Sequence, residues 1–252
     1  MAVRSCYRDR RVLVTGLTGF KGVWLGEWLR RLGAAVTGLA LPPDDAMSAG
    51  WPGLAGRFPC AFTDVRDAAA VARVFADGQP EIVFHLAAQP LVRASYAEPV
   101  ATFAANVLGT AHVLEALSGY LLLGERLFHE GAPFAAAWNF GPAAGESLTV
   151  RELARQLVRC WGRGRVVEAA GDPGPHEAAY LALDSSKAEA ELGWRPLLSS
   201  AERVSWAVDW YAAWERDPSS VWGVTAEQID EYERRSAARS AAPAPERLAR
   251  AA

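Results

Sequence analysis

Hydrophobic residues along the chain fall into two alternating spacings. Arg11–Thr15 (RVLVT) is a β-branched run closed by glycine and predicts a buried strand. From Phe20 to Leu32 the apolar positions Trp24, Leu25, Trp28, Leu29 and Leu32 recur at helical spacing, and Gly33 ends that helix. Ala35–Leu41 predicts a second strand, stopped by Pro42 and Pro43. A Pro-, Gly- and Asp-rich loop to about Pro59, a short helix over Asp67–Ala76, a third strand over Glu81–Leu86 and a helix over Ala97–Leu117 follow. Strand and helix alternate, which predicts an α/β protein built on a doubly wound parallel sheet.

After Ser118 the pattern changes. Helices are predicted over Gly119–Glu130, Leu148–Trp161, Ser185–Leu192 and Ala201–Trp214, with short strands at Ala135–Phe140 and Arg165–Ala169. These form a smaller C-terminal α/β lobe over residues 118–216, set against an N-terminal half over 11–117. The stretch 233–252 is rich in Ala, Arg, Pro and Ser and predicts a disordered tail.

Composition narrows the function classes. A net charge of -3 supplies no basic surface for a phosphate backbone, which argues against nucleic acid as a partner. Cys6, Cys60 and Cys160 are too scattered for a disulfide framework, and no metal site is expected. No apolar run reaches membrane-spanning length and the start, MAVRSCYRDRR, has no apolar stretch behind it, so the expected setting is cytoplasmic. Lysine occurs only at Lys21 and Lys187.

The sharpest motif is Thr15-Gly16-Leu17-Thr18-Gly19-Phe20-Lys21-Gly22, lying between a predicted strand and a predicted helix. Glycine at Gly16, Gly19 and Gly22 permits a tight turn and close approach of backbone to a pyrophosphate, whose charge the free amides at the helix start can bind. The two-residue gap between the first glycines resembles the extended short-chain dehydrogenase/reductase family, whose fold is Rossmann-like. Three further stretches agree with that family. Asp64-Val65 stands where it places an adenine contact. His85-Leu86-Ala87-Ala88-Gln89 ends the third strand, where small residues let a cofactor lie on the backbone. Asn106-Val107-Leu108-Gly109-Thr110 matches its Asn-Val-x-Gly-Thr helix. Taken alone, Asp64 reads equally as a turn or N-cap residue, and His85 as a packed strand-end histidine. The second strand ends without an acid for a ribose hydroxyl and without a following arginine, which favours NAD over NADP.

Within this family the wording is similar to that of the CDP-glucose 4,6-dehydratases. The similar phrases are Thr15–Gly22, Glu81–Pro99, Ser118–Pro142 and Asp184–Pro196. The resemblance implies a lyase that takes a hydride from C4 of a nucleotide sugar onto NAD, eliminates water across C5 and C6, and returns the hydride to C6. It implies cofactor contacts at Gly16, Thr18, Gly19, Phe20, Lys21, Gly22, Asp64, Val65, Leu86, Ala87, Ala88 and Asn106. Substrate contacts fall at Arg93, Asn139, His176 and Glu177, each of which reads at least as well as a surface ion pair, turn or cap. It also implies a homodimer.

That chemistry uses a tyrosine four residues before a lysine, and this chain has no such pair. Four residues after Tyr7, Tyr96, Tyr120, Tyr180, Tyr211 and Tyr232 stand Arg11, Val100, Gly124, Asp184, Glu215 and Ser236. Tyr180 and Lys187 are seven apart, a helical rise of ~10 Å where the family has ~6 Å. No catalytic residue is therefore assigned. An internal deletion after about Leu117 accounts for the loss, since His112–Leu117 runs directly into Ser118-Gly119-Tyr120. The sheet is then expected to be incomplete, with Val12–Val14 left as an apolar edge and the chain after Ser118 less well ordered. The alternatives are a non-catalytic dinucleotide-binding subunit or truncated remnant, and another NAD-dependent nucleotide-sugar epimerase or reductase.

Overall fold

The computed structural model describes residues 5–43, 53–87, 99–143, 145–146, 148–167 and 183–241. Its sheet has four parallel strands, β1 (Arg11–Thr15), β2 (Ala35–Ala40), β3 (Cys60–Phe62) and β4 (Ile82–His85), in the order β3-β2-β1-β4. Helices α1 (Phe20–Arg31), α2 (Leu54–Arg57) and α3 (Ala68–Gly78) connect them. Then follow α4 (Pro99–Glu130), α5 (Val150–Trp161), a helical turn at Ala188–Leu192, α6 (Ser200–Arg216) and α7 (Val221–Ala241). The parallel, doubly wound α/β order is the one expected.

Local chemistry explains the element ends. Asp67 caps α3 by accepting from the Ala70 amide. Thr149 with Glu152, and Ser199 with Glu202, form capping boxes that start α5 and α6. Gly162 closes α5 at a φ of 76°, a left-handed conformation that glycine adopts freely.

Four expectations change. First, β1 is not an edge. Val12, Leu13 and Val14 are buried, and β1 pairs with β2 on one side and β4 on the other. The three-residue strand β3 is too short to show a hydrophobic period, so Ile82–His85 is the fourth strand rather than the third. Among the described residues β3 and β4 are the two edges, and on β4 Val83 is exposed.

Second, Ser118 marks no break. It lies inside the 32-residue helix α4, flanked by Leu114, Leu117 and Leu121 in the main core. Tyr7 donates to the Leu121 carbonyl at 2.6 Å and fastens this helix to the chain's first turn. Third, Ala135–Phe140 is a loop and not a strand, and residues 165–167 are also loop; the described C-terminal part is helical.

Fourth, the expected tail is helical as far as Ala241. Val221, Thr225, Ile229 and Tyr232 repeat at helical spacing and are buried. Trp28 donates to Glu233 at 2.7 Å, and Arg235 bonds both Glu231 and Glu202. Alanine and arginine are strong helix formers, so composition alone misleads here. Residues 242–252 lie outside the described residues. No described helix is long and apolar enough to cross a membrane.

Two buried carboxylates hold these layers together. Glu27 of α1 is fully buried and bonded by the guanidinium groups of Arg30 and Arg57. Burial pushes its pKa up, but those hydrogen bonds outweigh burial and hold the carboxyl below its usual value. Glu115 of α4 accepts from the Leu197 and Leu198 amides at 2.8 and 2.6 Å, and from the Tyr232 hydroxyl at 2.7 Å. Here burial dominates and raises the pKa, although the three hydrogen bonds and Arg203 oppose it.

Ionised Glu115 therefore costs stability as pH rises through its raised folded-state pKa, and its contribution is fullest below the unfolded value. Glu115→Ala should cost about 3 kcal/mol or more, because two amides and a hydroxyl lose their acceptor. Glu115→Gln keeps an uncharged acceptor and should cost less than about 1.5 kcal/mol. Urea midpoints check this, and equal losses for the two variants would refute it. A charge on the β4 edge should also blunt self-association. Val83→Lys should lower concentration-dependent light scattering and change stability by no more than about 0.5 kcal/mol; unchanged scattering would exclude β4 as the sticky edge.

Candidate dinucleotide-binding site

The site is built at the end of β1, where the chain turns into α1. Gly16 has a φ of 71°, and its amide donates to the Leu39 carbonyl at 2.8 Å, which ties the turn to β2. A Cβ on Gly16 would lie 2.9 Å from the Ala87 nitrogen, so the turn and the end of β4 meet backbone to backbone. The Gly19 amide donates to the Gly16 carbonyl at 3.0 Å. A Cβ on Gly22 would stand 2.1 Å from that same carbonyl oxygen, which no side chain can occupy. Gly22 thus brings α1 against the turn itself.

Leu17 holds the turn from beneath. It is fully buried, and a Cβ at Gly38 or Gly26 would strike its side chain at 2.3 or 2.8 Å. Sequence reasoning passed over these three residues; the signal was a glycine inside a strand and another inside a helix, which mark close approach. Thr15 completes the frame. Its hydroxyl lies 2.7 Å from His85 Nδ1 and accepts from the Ala87 amide at 3.1 Å. His85 is exposed at the strand end and not packed.

The cradle brings together Gly16, Thr18, Gly19, Lys21, Gly22, Leu86 and Ala87. Thr18 donates to the Leu41 carbonyl at 3.2 Å, and Lys21 is exposed, its ammonium 6.0 Å from the Tyr120 ring centre. No side chain caps α1, whose first amides have no intrahelical acceptor. That is a fitting receptor for a diphosphate. The Phe20 side chain packs on Trp24, Trp210 and Tyr211 and so anchors α6 beneath the turn, while its amide is the first of α1.

At the ends of β2 and β3 Leu41 and Phe62 are exposed, and so are Val65 and Arg66 that follow. Asp64 follows β3 and accepts from the Arg66 amide at 2.8 Å. The Arg66 guanidinium grips it as well and holds its carboxyl down to about 2. Asp64 thus shapes a turn beside Phe62 and Val65, on which an adenine ring could lie.

The remaining candidates fall elsewhere. Asn106 lies on α4, where the backbone alone is described. Ala88, Arg93, His176 and Glu177 lie outside the described residues. Asn139 is exposed and donates to the Asp184 carbonyl at 3.2 Å, tying two loops together. Lys187 donates to the Ala137 carbonyl at 3.2 Å and covers the Trp138 ring at 4.1 Å. Among the described residues no cluster of His, Cys, Asp and Glu could hold a metal ion.

Residues 13–130 match the family model for GDP-mannose 4,6 dehydratase. The chain is 28% identical over 338 residues to the CDP-glucose 4,6-dehydratase of Salmonella typhimurium (strain LT2), covering 86% of this chain and 94% of that protein. That alignment is longer than the 252 residues of this chain, so it carries a large gap on this chain's side. The dTDP-glucose 4,6-dehydratase 1 of Escherichia coli K12 is 42% identical over 64 residues, 25% of this chain and 18% of that one. A crystal structure of a Burkholderia cenocepacia J2315 protein assigned as an epimerase superposes with a TM-score of 0.54 at 19% identity. It covers 81% of this chain and 98% of its own, a likeness of fold alone. The chain is thus similar to proteins of the NAD-dependent epimerase/dehydratase family. Over 86% of its length it is a homologue of CDP-glucose 4,6-dehydratase.

The glycine contacts make a sharp prediction. Gly22→Ala should weaken NAD binding by about tenfold or more, because the added carbon displaces the turn or the helix. Gly223→Ala in α7, with nothing near the added carbon, should leave binding unchanged and add about 0.5–1 kcal/mol of stability. Calorimetric titration and thermal melts check both, and undiminished binding in Gly22→Ala would remove the turn from the site.

Proposed function

We propose that this chain binds NAD at the Gly16–Gly22 turn and descends from nucleotide-sugar 4,6-dehydratases, with CDP-glucose as the ancestral substrate, but does not carry out that reaction alone. The observation behind the binding half is the turn itself, whose glycines let β1, β4 and α1 meet backbone to backbone and whose helix start carries no side-chain cap on its first amides. Thr18, Lys21, Leu86, Ala87 and Ala88 would line the cofactor, Asp64 and Val65 would flank the adenine, and Asn106 would approach from α4. NAD would supply and recover the hydride. NAD rather than NADP fits a β2 end that has no basic residue for an extra phosphate.

The catalytic half is read from what the lysines do. Proton removal from a sugar hydroxyl calls for a tyrosine whose phenol is eased toward ionisation by a nearby lysine. No lysine follows a tyrosine by four positions, and Lys187 is committed to Ala137 and Trp138. The Tyr7 and Tyr232 hydroxyls are buried in structural hydrogen bonds. The alignment gap supports an internal deletion as the cause. Asn139 is spent on Asp184, which leaves Arg93, His176 and Glu177 as substrate candidates. A cytoplasmic setting and a homodimer belong to the same reading.

The likeness to a CDP-glucose 4,6-dehydratase over 86% of the chain favours a second reading, a competent enzyme that uses other residues. One experiment separates the two. Purified protein incubated with CDP-glucose and NAD should bind NAD, seen by calorimetry, and release no 4-keto product, seen by mass spectrometry. Turnover would overturn the proposed inactivity, and absence of NAD binding would overturn the site.

A further inference from the structure

A groove of about 750 Å³ opens between α4, the Gly193–Leu197 segment and α7, and none of its lining residues belongs to the glycine turn. Its size is that of a small-molecule site. The floor is rigid and polar. Ser118 accepts from the Trp194 indole at 2.9 Å and lies 3.0 Å from the Tyr232 hydroxyl, above the buried Glu115. Leu122 and Leu197 add apolar wall.

Three guanidinium groups reach this one groove from three different elements, Arg126 from α4, Arg195 from the connecting segment and Arg239 from α7. His129 lines it as well, and so do two acids, Glu125 and Glu130. Arg126 is matched by Glu130 at 2.5 Å. The other two retain donors. Arg239 gives one hydrogen bond, to the Pro196 carbonyl at 2.8 Å, and Arg195 faces Glu189 at 3.8 Å. A guanidinium has five N–H groups in a planar fork suited to phosphate or carboxylate, so among the described residues most of this donor capacity meets no protein acceptor.

We propose that this groove is a second ligand site, separate from the dinucleotide turn, for a small molecule bearing a phosphate or carboxylate group gripped by Arg195 and Arg239. The carbon frame of the ligand would lie on Leu122 and Leu197, and the hydrogen-bonded floor would keep α4 and α7 at a fixed spacing.

The test titrates the full chain with pyrophosphate and, separately, with citrate, read by calorimetry. At least one should bind, and the stronger identifies whether phosphate or carboxylate is preferred. Arg195→Ala with Arg239→Ala should weaken that binding about tenfold or more. An unchanged affinity in the double variant would mean that the anion sits elsewhere, the glycine turn included, and would overturn the proposal. So would failure of both anions to bind the native chain. Should loss of the Pro196 contact lower the melting temperature, Arg195→Ala alone decides, since its distant ion pair supports little structure. A loss of about threefold or more is then expected, and none refutes the site.

Discussion

Glu115 is a carboxylate placed where a carboxylate is costly, in the middle of α4 with almost no exposure. Its three hydrogen bonds run to the Leu197 and Leu198 amides and to Tyr232, so one side chain joins α4 to the segment before α6 and to α7. Through α7 the link reaches back to α1, where Trp28 meets Tyr232 edge to face at 5.6 Å. The nucleotide half and the helical half therefore share one core, with Trp28, Leu117, Trp210 and Tyr232 in the same cluster. Removing the acceptor would leave buried donors unpaired on two elements at once, a larger loss than a single neutral hydrogen bond.

This link also bears on how the sheet ends. Among the described residues the doubly wound sheet stops at β4, and the surface beside β4 is covered by a helix. Tyr7, Phe84 and Gly124 meet there, and a Cβ on Gly124 would strike the Tyr7 hydroxyl at 2.4 Å. The second half of α4 thus takes up close packing beside β4. The outer edge and Val83 are what it leaves open.

Much of this was legible in residues 11–41. A buried strand, a spaced triplet of glycines and an amphipathic helix each have a local cause, and the turn needs only contacts within one strand-turn-helix unit and its neighbours. Three features escaped for equally physical reasons. β3 has three residues, too few for an alternating pattern, and missing it displaced the count of strands and hence the edge. Phe20 sits inside the motif but is claimed by Trp210 and Tyr211, nearly two hundred positions away, a tertiary contact with no local signal. α7 continues past Glu233 because Ala and Arg favour helix and Glu231 and Glu202 lie within reach of Arg235; a compositional reading counts the residues and misses those partners.

Cofactor binding and chemistry are separable in such a fold because different stretches of chain supply them. The backbone groups that frame the turn, from Thr15, Gly16 and Gly22 to Gly38, Leu39 and Ala87, lie in the first 87 residues, on β1, α1, β2 and the end of β4. A base for the sugar would have to come from beyond β4, where the chain passes instead into α4 and its structural carboxylate. The close contacts that shape the turn therefore do not depend on which groups act beside it. Next to it stands Lys21, its ammonium 6.0 Å from the ring centre of Tyr120, which packs edge to face on Phe140 at 5.9 Å; a cation at that distance over a ring face is drawn to the π-system.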